Sequence, residues 1–270
     1  MKIVVTGANG FIGKHLLKKL NLIKNLHITA VVRPGTSGTE ILPADNIVYL
    51  DIASPPDNLF SLLGEPDIVI HLSWQGLSDY QSLSHFENEL PMQYYFLKLL
   101  ISGGLKNLVV TGTCFEYGLQ SGPLSVDMDT KPVTPYGLAK DSLRKQLEFL
   151  QMQKEFNFIW ARLFYIYGEN QPASTLYQQL KAAVNKDEKV FKMSGGEQLR
   201  DYLHVRDVAE RLADYALMRK NLGKVNLCSG SPISVRKLVE SWIEENNWQI
   251  DLQLGHYPYP RHEPMAFWGA

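Results

Sequence analysis

The chain has 270 residues, with 27 Lys and Arg against 28 Asp and Glu, so its net charge of −1 gives no basic field for nucleic acid or an anionic membrane surface. No apolar run approaches the roughly 20 residues that cross a bilayer, and the length suffices for one large α/β domain, or a large domain with a smaller partner. The cysteines, Cys114 and Cys228, form no C-x-x-C pair and the histidines show no metal-ligand spacing, so a reducing, cytoplasmic compartment and no metal are expected.

The first strand covers 2–6 and starts directly after Met1, leaving no room for a signal peptide. It runs into Gly7-Ala8-Asn9-Gly10-Phe11-Ile12-Gly13, with glycines three residues apart, and then into a helix over 11–20. A strand that turns into a helix through such glycines makes a place for a phosphate. Gly7 takes the tight turn, Gly10 lets a pyrophosphate approach bare backbone, and Gly13 lets the helix pack on the strand. The helix N-terminus adds free N–H groups and a positive dipole end. The spacing is G-x-x-G-x-x-G rather than the G-x-G-x-x-G of the ordinary dinucleotide fingerprint.

Further strands are predicted over 27–32, 46–50, 67–72, 107–111 and 158–163, with helices over 58–63, 86–102 and 135–155. Apolar strands alternating with helices imply a parallel sheet covered on both faces, hence a Rossmann-like, doubly wound α/β fold. Ligands then lie beyond the carboxyl ends of the strands. Gly7, Arg33, Asp51, Ser73 and Thr113 all follow a strand. After Gly168 the pattern loosens into helices over 174–185, 205–218 and 234–245, short strands over 190–192 and 225–227, and an aromatic tail over 256–270. Residues 1–168 are expected to form the dinucleotide-binding domain. Residues 169–270 are expected to form mainly a smaller α/β substrate lobe that interleaves with it.

The helix over 135–155 opens with Tyr136-Gly137-Leu138-Ala139-Lys140. Positions i and i+4 share a helix face, so Tyr136 and Lys140 point together. An ammonium beside a phenol lowers the phenol's pKa, which suits a tyrosine that moves a proton to or from an alcohol or ketone.

Taken in order, several segments carry a resemblance. They are Gly7 to Gly13, Asp51-Ile52, His71-Leu72-Ser73, Asn88, Thr113 to Gly118, Tyr136 to Lys140, Arg162 to Gly168, and Arg200-Asp201-Tyr202-Leu203-His204-Val205. Over nearly its full length the chain resembles the extended short-chain dehydrogenases/reductases, the family of nucleotide-sugar epimerases, dehydratases and reductases. The resemblance implies that Thr113 orients the substrate oxygen, that Tyr136 exchanges a proton with it, and that Lys140 binds the nicotinamide ribose. It places Gly7, Asn9, Gly10, Phe11, Ile12 and Gly13 on the cofactor, Asp51 and Ile52 in the adenine pocket, and Leu72 and Ser73 near the nicotinamide half. Asn88 matches an asparagine that stiffens the site. Arg200 and Arg261 match arginines that take the substrate diphosphate, a role suited to guanidinium forks. The helices over 86–102 and 135–155 match those of a four-helix homodimer core, with Leu90, Tyr94, Leu97, Leu143, Leu147 and Leu150 as apolar faces.

Departures narrow the reading. The family's dehydratases carry Asp-Glu directly after the active-site threonine, whereas this chain has Cys114 and Phe115, so dehydration is disfavoured. The cysteine of the epimerase-reductases that make GDP-fucose falls on Phe115, and no matching histidine follows Tyr167-Gly168. Cys114 reads as a small buried residue. Tyr165 stands where epimerases usually carry Asn. The second strand ends in Arg33 rather than the acidic residue of NAD enzymes, which favours NADP while leaving NAD open. The expectation is therefore a reductase of the 4-keto group of a nucleotide-activated deoxy sugar. A 4-epimerase with bound NAD is the first alternative, and a dinucleotide-sensing regulator without catalysis is the second. The C-terminus at Ala270 falls where relatives are expected to continue, which raises the expectation of a missing terminal segment.

Overall fold

The computed structural model describes residues 1–38, 41–259 and 263–270. In chain order its elements are β1 (Lys2–Thr6), α1 (Phe11–Leu20), β2 (His27–Val32), β3 (Asn46–Tyr49), α2 (Leu59–Leu62), β4 (Ile68–His71), α3 (Leu90–Gly103), β5 (Asn107–Thr113), β6 (Gly122–Leu124), α4 (Pro135–Gln151), β7 (Asn157–Leu163) and β8 (Tyr165–Tyr167). They continue with α5 (Leu176–Asn185), β9 (Val190–Lys192), β10 (Leu199–Arg200), β11 (Tyr202–His204), α6 (Val205–Met218), β12 (Gly223–Leu227), β13 (Ile233–Ser234), α7 (Val235–Glu245), β14 (Asp251–Gln253) and β15 (Phe267–Gly269).

Seven strands form one parallel sheet in the order β3-β2-β1-β4-β5-β7-β12. The order reverses between β1 and β4, so the crevice of this doubly wound sheet opens beyond Thr6 and His71. Side chains alternate across each strand and fill two cores. On one face Ile3, Val5 and Ile70 pack under α1 and α6, with Leu16, Leu17 and Leu212. On the other Val4, Val69 and Val110 pack under α3 and α4, with Phe96, Leu143 and Leu147. Each such aliphatic side chain contributes about 1.5–3 kcal/mol on burial.

Two late elements join the first core and its sheet: α6 packs in that core and β12 extends the sheet beside β7. The remaining late elements have a core of their own, built on Leu180, Phe191, Leu238 and Trp242. Leu97, Leu143, Leu147 and Leu150, expected as dimer faces, are buried within the protomer, with Leu90 and Tyr94 packed against the same core. A helix on a sheet spends its strongest apolar stripe on that sheet. The apolar residues that α3 and α4 leave exposed are Tyr95, Leu138 and Phe149. No helix among the described residues is long and apolar enough to cross a membrane.

Candidate active site

β1 delivers the chain to Gly7, whose φ of +65° only glycine adopts without strain. A Cβ on Gly7 would stand 3.0 Å from the backbone after β4, and one on Gly13 would stand 2.3 Å from the Gly7 carbonyl oxygen. The loop thus lies flat between α1 and β4. No side chain caps the N-terminus of α1 at Gly10, so its first N–H groups face the crevice. They open on a cavity of about 570 Å³ lined by Gly7 to Gly13, Arg33, Asp51, Ile52, Leu72 and Ser73 among others. The expected cofactor residues therefore share one cavity, apart from Tyr136 and Lys140. A bare glycine loop and a free helix N-terminus fit a phosphate-bearing dinucleotide. Arg33 is exposed at the rim and donates to Gln75 Oε1 at 2.9 Å.

A second cavity, of about 420 Å³, adjoins the first, and both are lined by Phe11, Ile12, Leu77 and Pro172. Thr113 and Tyr136 are in its wall. Thr113 ends β5 and shares the wall of this cavity with the Tyr136 phenol. Thr134 caps α4 by accepting from Gly137 N at 3.0 Å, which fixes the turn that carries Tyr136. Tyr136 lies in an aromatic box with ring centroids at 5.0 Å to Tyr80, 5.2 Å to His85, 6.1 Å to Trp74 and 6.3 Å to Phe115.

Lys140 does not act on the phenol as expected. Its ammonium is buried, donates to the Thr111 carbonyl at 2.9 Å and sits 4.1 Å from the Trp74 ring centroid. Burial lowers its pKa to about 7, against the opposing pull of Glu116 and Glu89. Burial also raises the Tyr136 pKa well above the ordinary phenol value, with the Tyr80 ring beside it acting in the same direction. Desolvation outweighs the i,i+4 neighbour because the lysine is turned towards β5 and Trp74.

Several residues that support this site were not anticipated. His71 bridges Thr6 Oγ1 at 2.9 Å and Gln93 Oε1 at 2.8 Å, and Thr6 Oγ1 also accepts from Leu72 N and Ser73 N. Gln93 donates to Glu89 Oε2 at 3.0 Å, and that oxygen also accepts from Gln75 N at 3.1 Å. Burial holds His71 neutral by lowering its pKa to about 3. Asn88 is exposed, so the polar support expected from it comes instead from Glu89 and Gln93 on the buried side. The turn at His85–Glu89 is π-helical, which shifts the face that the helix presents. Beneath Thr113, the fully buried Glu116 accepts from Thr113 N, Trp160 Nε1 and Arg162 Nε at 2.9, 2.8 and 2.7 Å. A single arginine among apolar strands gave no sign of this pairing. Cys114 is buried, and burial raises its thiol pKa.

Arg200 does not present itself to the second cavity. It is 2% exposed, pairs with Glu263 at 2.9 Å, and stacks 4.6 Å from the Phe267 ring centroid. Arg261 lies outside the described residues.

Residues 3–228 match the model of the NAD dependent epimerase/dehydratase family. A protein of Aggregatibacter actinomycetemcomitans named dTDP-6-deoxy-L-talose 4-dehydrogenase (NAD(+)) is 32% identical over 272 residues, covering 100% of both chains. Two solved structures superpose closely. The UDP-glucose 4-epimerase of Thermotoga maritima with UDP-glucose gives a TM-score of 0.85 at 21% identity, covering 99% of this chain and 90% of the other. The UDP-glucuronic acid 4-epimerase of Bacillus cereus, with UDP-glucuronic acid and NAD, gives 0.82 at 22% identity, covering 100% and 90%.

Proposed function

The chain belongs to the NAD dependent epimerase/dehydratase family, the extended short-chain dehydrogenases/reductases, and on that premise we propose that it interconverts a 4-keto and a 4-hydroxyl group on a nucleotide-activated deoxy sugar. The observation that carries the reading is the placement of Thr113 and Tyr136 together in the wall of an aromatic cavity that adjoins the glycine-loop cavity. The relative named a 4-dehydrogenase supports the same carbon and a 6-deoxy sugar.

The glycine loop would hold the pyrophosphate, Asp51 and Ile52 the adenosine end, and Leu72, Ser73 and Lys140 the nicotinamide end. The dinucleotide, when bound, supplies or accepts the hydride. Tyr136 gives the proton to the sugar oxygen in reduction and takes it in oxidation, while Thr113 donates a hydrogen bond that orients that oxygen. The aromatic box keeps water from the phenol. Arg33 ends β2 without a carboxylate to compete, so the site accepts the 2′-phosphate of NADP. The NAD(+) in the relative's name supports use of NAD as well. Elements built on Leu180 and Trp242 close the sugar end. The protein works as a homodimer through the outer faces of α3 and α4, and its two free cysteines suit a reducing compartment.

The test is an assay of reduced-nicotinamide consumption with TDP-, UDP-, GDP- and CDP-linked 4-keto-6-deoxyhexoses. Turnover with one of them is expected. Tyr136→Phe lowers kcat by about 10²–10⁴-fold while dinucleotide binding persists. Dinucleotide retained through gel filtration, with 4-epimer formed and no net oxidation, would overturn the reading in favour of an epimerase. Unchanged function in Tyr136→Phe would remove the enzyme reading of this site.

A further inference from the structure

The ammonium of Lys140 is buried, and no carboxylate among the described residues forms an ion pair with it. Glu116, in the turn after β5, and Glu89, in the turn before α3, favour its charge from further away. On β4, His71 is neutral. On α4 itself, burial keeps Tyr136 protonated, and Asp141 pairs with Arg144 and Lys145. One N–H of the ammonium goes to the Thr111 carbonyl. Its other contact is the face of Trp74, with the ring centroid 4.1 Å from Nζ. A cation out of water is drawn to a π face, and most strongly to an indole.

Trp74 follows β4 and is itself pinned. Its indole N–H donates to His85 Nδ1 at 3.1 Å. An indole N–H only donates, so Nδ1 accepts and Nε2 carries the proton that goes to the Asp79 carbonyl at 2.9 Å. His85 is fully buried, and a Cβ on Gly76 would stand 3.1 Å from its ring. The one polar atom of the indole is thus held from the edge, which leaves the ring face to the cation. Trp74 also lines the first cavity, beside Leu72, Ser73 and Gln93.

We infer that Trp74 is a positioning residue for Lys140, its pinned indole face seating the ammonium and keeping it charged. That role rests on the reading above, in which Lys140 meets the nicotinamide ribose. A carboxylate partner would hold the ammonium more strongly and would take its donors as well. A π face offsets part of the desolvation and leaves an N–H for a ribose hydroxyl. Burial lowers the Lys140 pKa to about 7, so the charge is lost as pH rises through that value. Weakening the seat lowers the pH at which the loss begins.

Trp74→Leu and Trp74→Phe test this in protein isotope-labelled at the lysine Cε. The Lys140 resonance, assigned by its absence in Lys140→Arg, follows the titration of the amine by NMR with no ligand present. Its midpoint is expected to fall by about one pH unit in Trp74→Leu, the worth of a desolvated cation–π contact. In Trp74→Phe, which keeps a ring, it is expected to fall by less. Thermal unfolding serves as the folding control, and Trp74→Phe carries the test should Trp74→Leu not fold. An unchanged or higher midpoint in the folded variants overturns the role of Trp74. NADH and NADPH affinities, measured from neutral to alkaline pH, are expected to decline from a lower pH in Trp74→Leu than in the unaltered protein. A lowered midpoint with no such change in dinucleotide binding supports the seat and removes the ribose role of Lys140 instead.

Discussion

At the scale of single residues, His71 sets a pH limit on stability. It is buried with both ring nitrogens hydrogen-bonded, and burial lowers its pKa to about 3 from the ordinary 6.5. The unfolded chain takes up a proton as pH falls through about 6.5, whereas the folded chain does so only near 3. The contribution is therefore intact above the unfolded pKa and lost as pH falls across that window, on the order of 5 kcal/mol in total. Chemical denaturation at several pH values should show this slope, and His71→Gln should flatten it while lowering stability at neutral pH. An identical acid slope in the variant would refute the assignment. Arg33 carries a separate prediction. Arg33→Ala should lower the ratio of kcat/KM for NADPH over NADH by about 10–100-fold, the worth of a charged hydrogen bond. A ratio that does not move would show that Arg33 is not the 2′-phosphate contact. Residues of this kind differ in how readable they are. The place of Arg33 on the first cavity was legible because a fold rule assigns meaning to the end of the second strand. His71, Glu89 and Gln93 form a network only because β4 and the turn before α3 face each other, and nothing local marks polar side chains as buried.

At the scale of elements, the join between β1 and α1 depends on Gly13. A Cβ there would lie 2.3 Å from the Gly7 carbonyl oxygen and 2.6 Å from that of Ala8, both backbone atoms that cannot move aside singly. Gly13→Ala should cost about 1–3 kcal/mol through overpacking and should spread the loop that faces the first cavity. Its thermal midpoint should fall, and the stabilisation that saturating NAD or NADP gives the unaltered protein should shrink. Unchanged dinucleotide stabilisation would separate the glycine from the cofactor site. The long elements were legible because their apolar periodicity is strong, and β1, β2, α1 and α6 fall on the expected residues. Pairings of two or three residues, such as β10 with β13 and β11 with β8, were not. They are too short to show alternation, and strands far apart in sequence hold them. The π-helical turn at His85–Glu89 was also invisible, because one extra residue in a turn leaves composition and spacing nearly unchanged.

At the scale of the whole molecule, one face exposes several large apolar side chains. Leu138, Lys145 and Phe149 lie on one stripe of α4, with Met152 at its cap, and α3 exposes Tyr95. Phe149 is 68% and Met152 81% exposed, large apolar groups that a monomer would leave in water. The leucine-rich stripes of α3 and α4 that the sequence offered for a dimer are claimed by the sheet, which leaves only the outer sides of these helices. A dimer through these outer faces would bury Phe149 and Met152 and would stiffen α4, whose first turn carries Tyr136. Sedimentation at micromolar concentration should therefore give a dimer for the unaltered protein, and a monomer for Phe149→Glu combined with Met152→Glu. The charges sit on the outer stripe, away from both cavities and both cores. The monomeric variant should accordingly keep its fold and dinucleotide binding while losing thermal stability in a concentration-dependent comparison. A double variant that still sediments as a dimer would move the interface elsewhere, and an unaltered protein that sediments as a monomer would leave the stripe without this role.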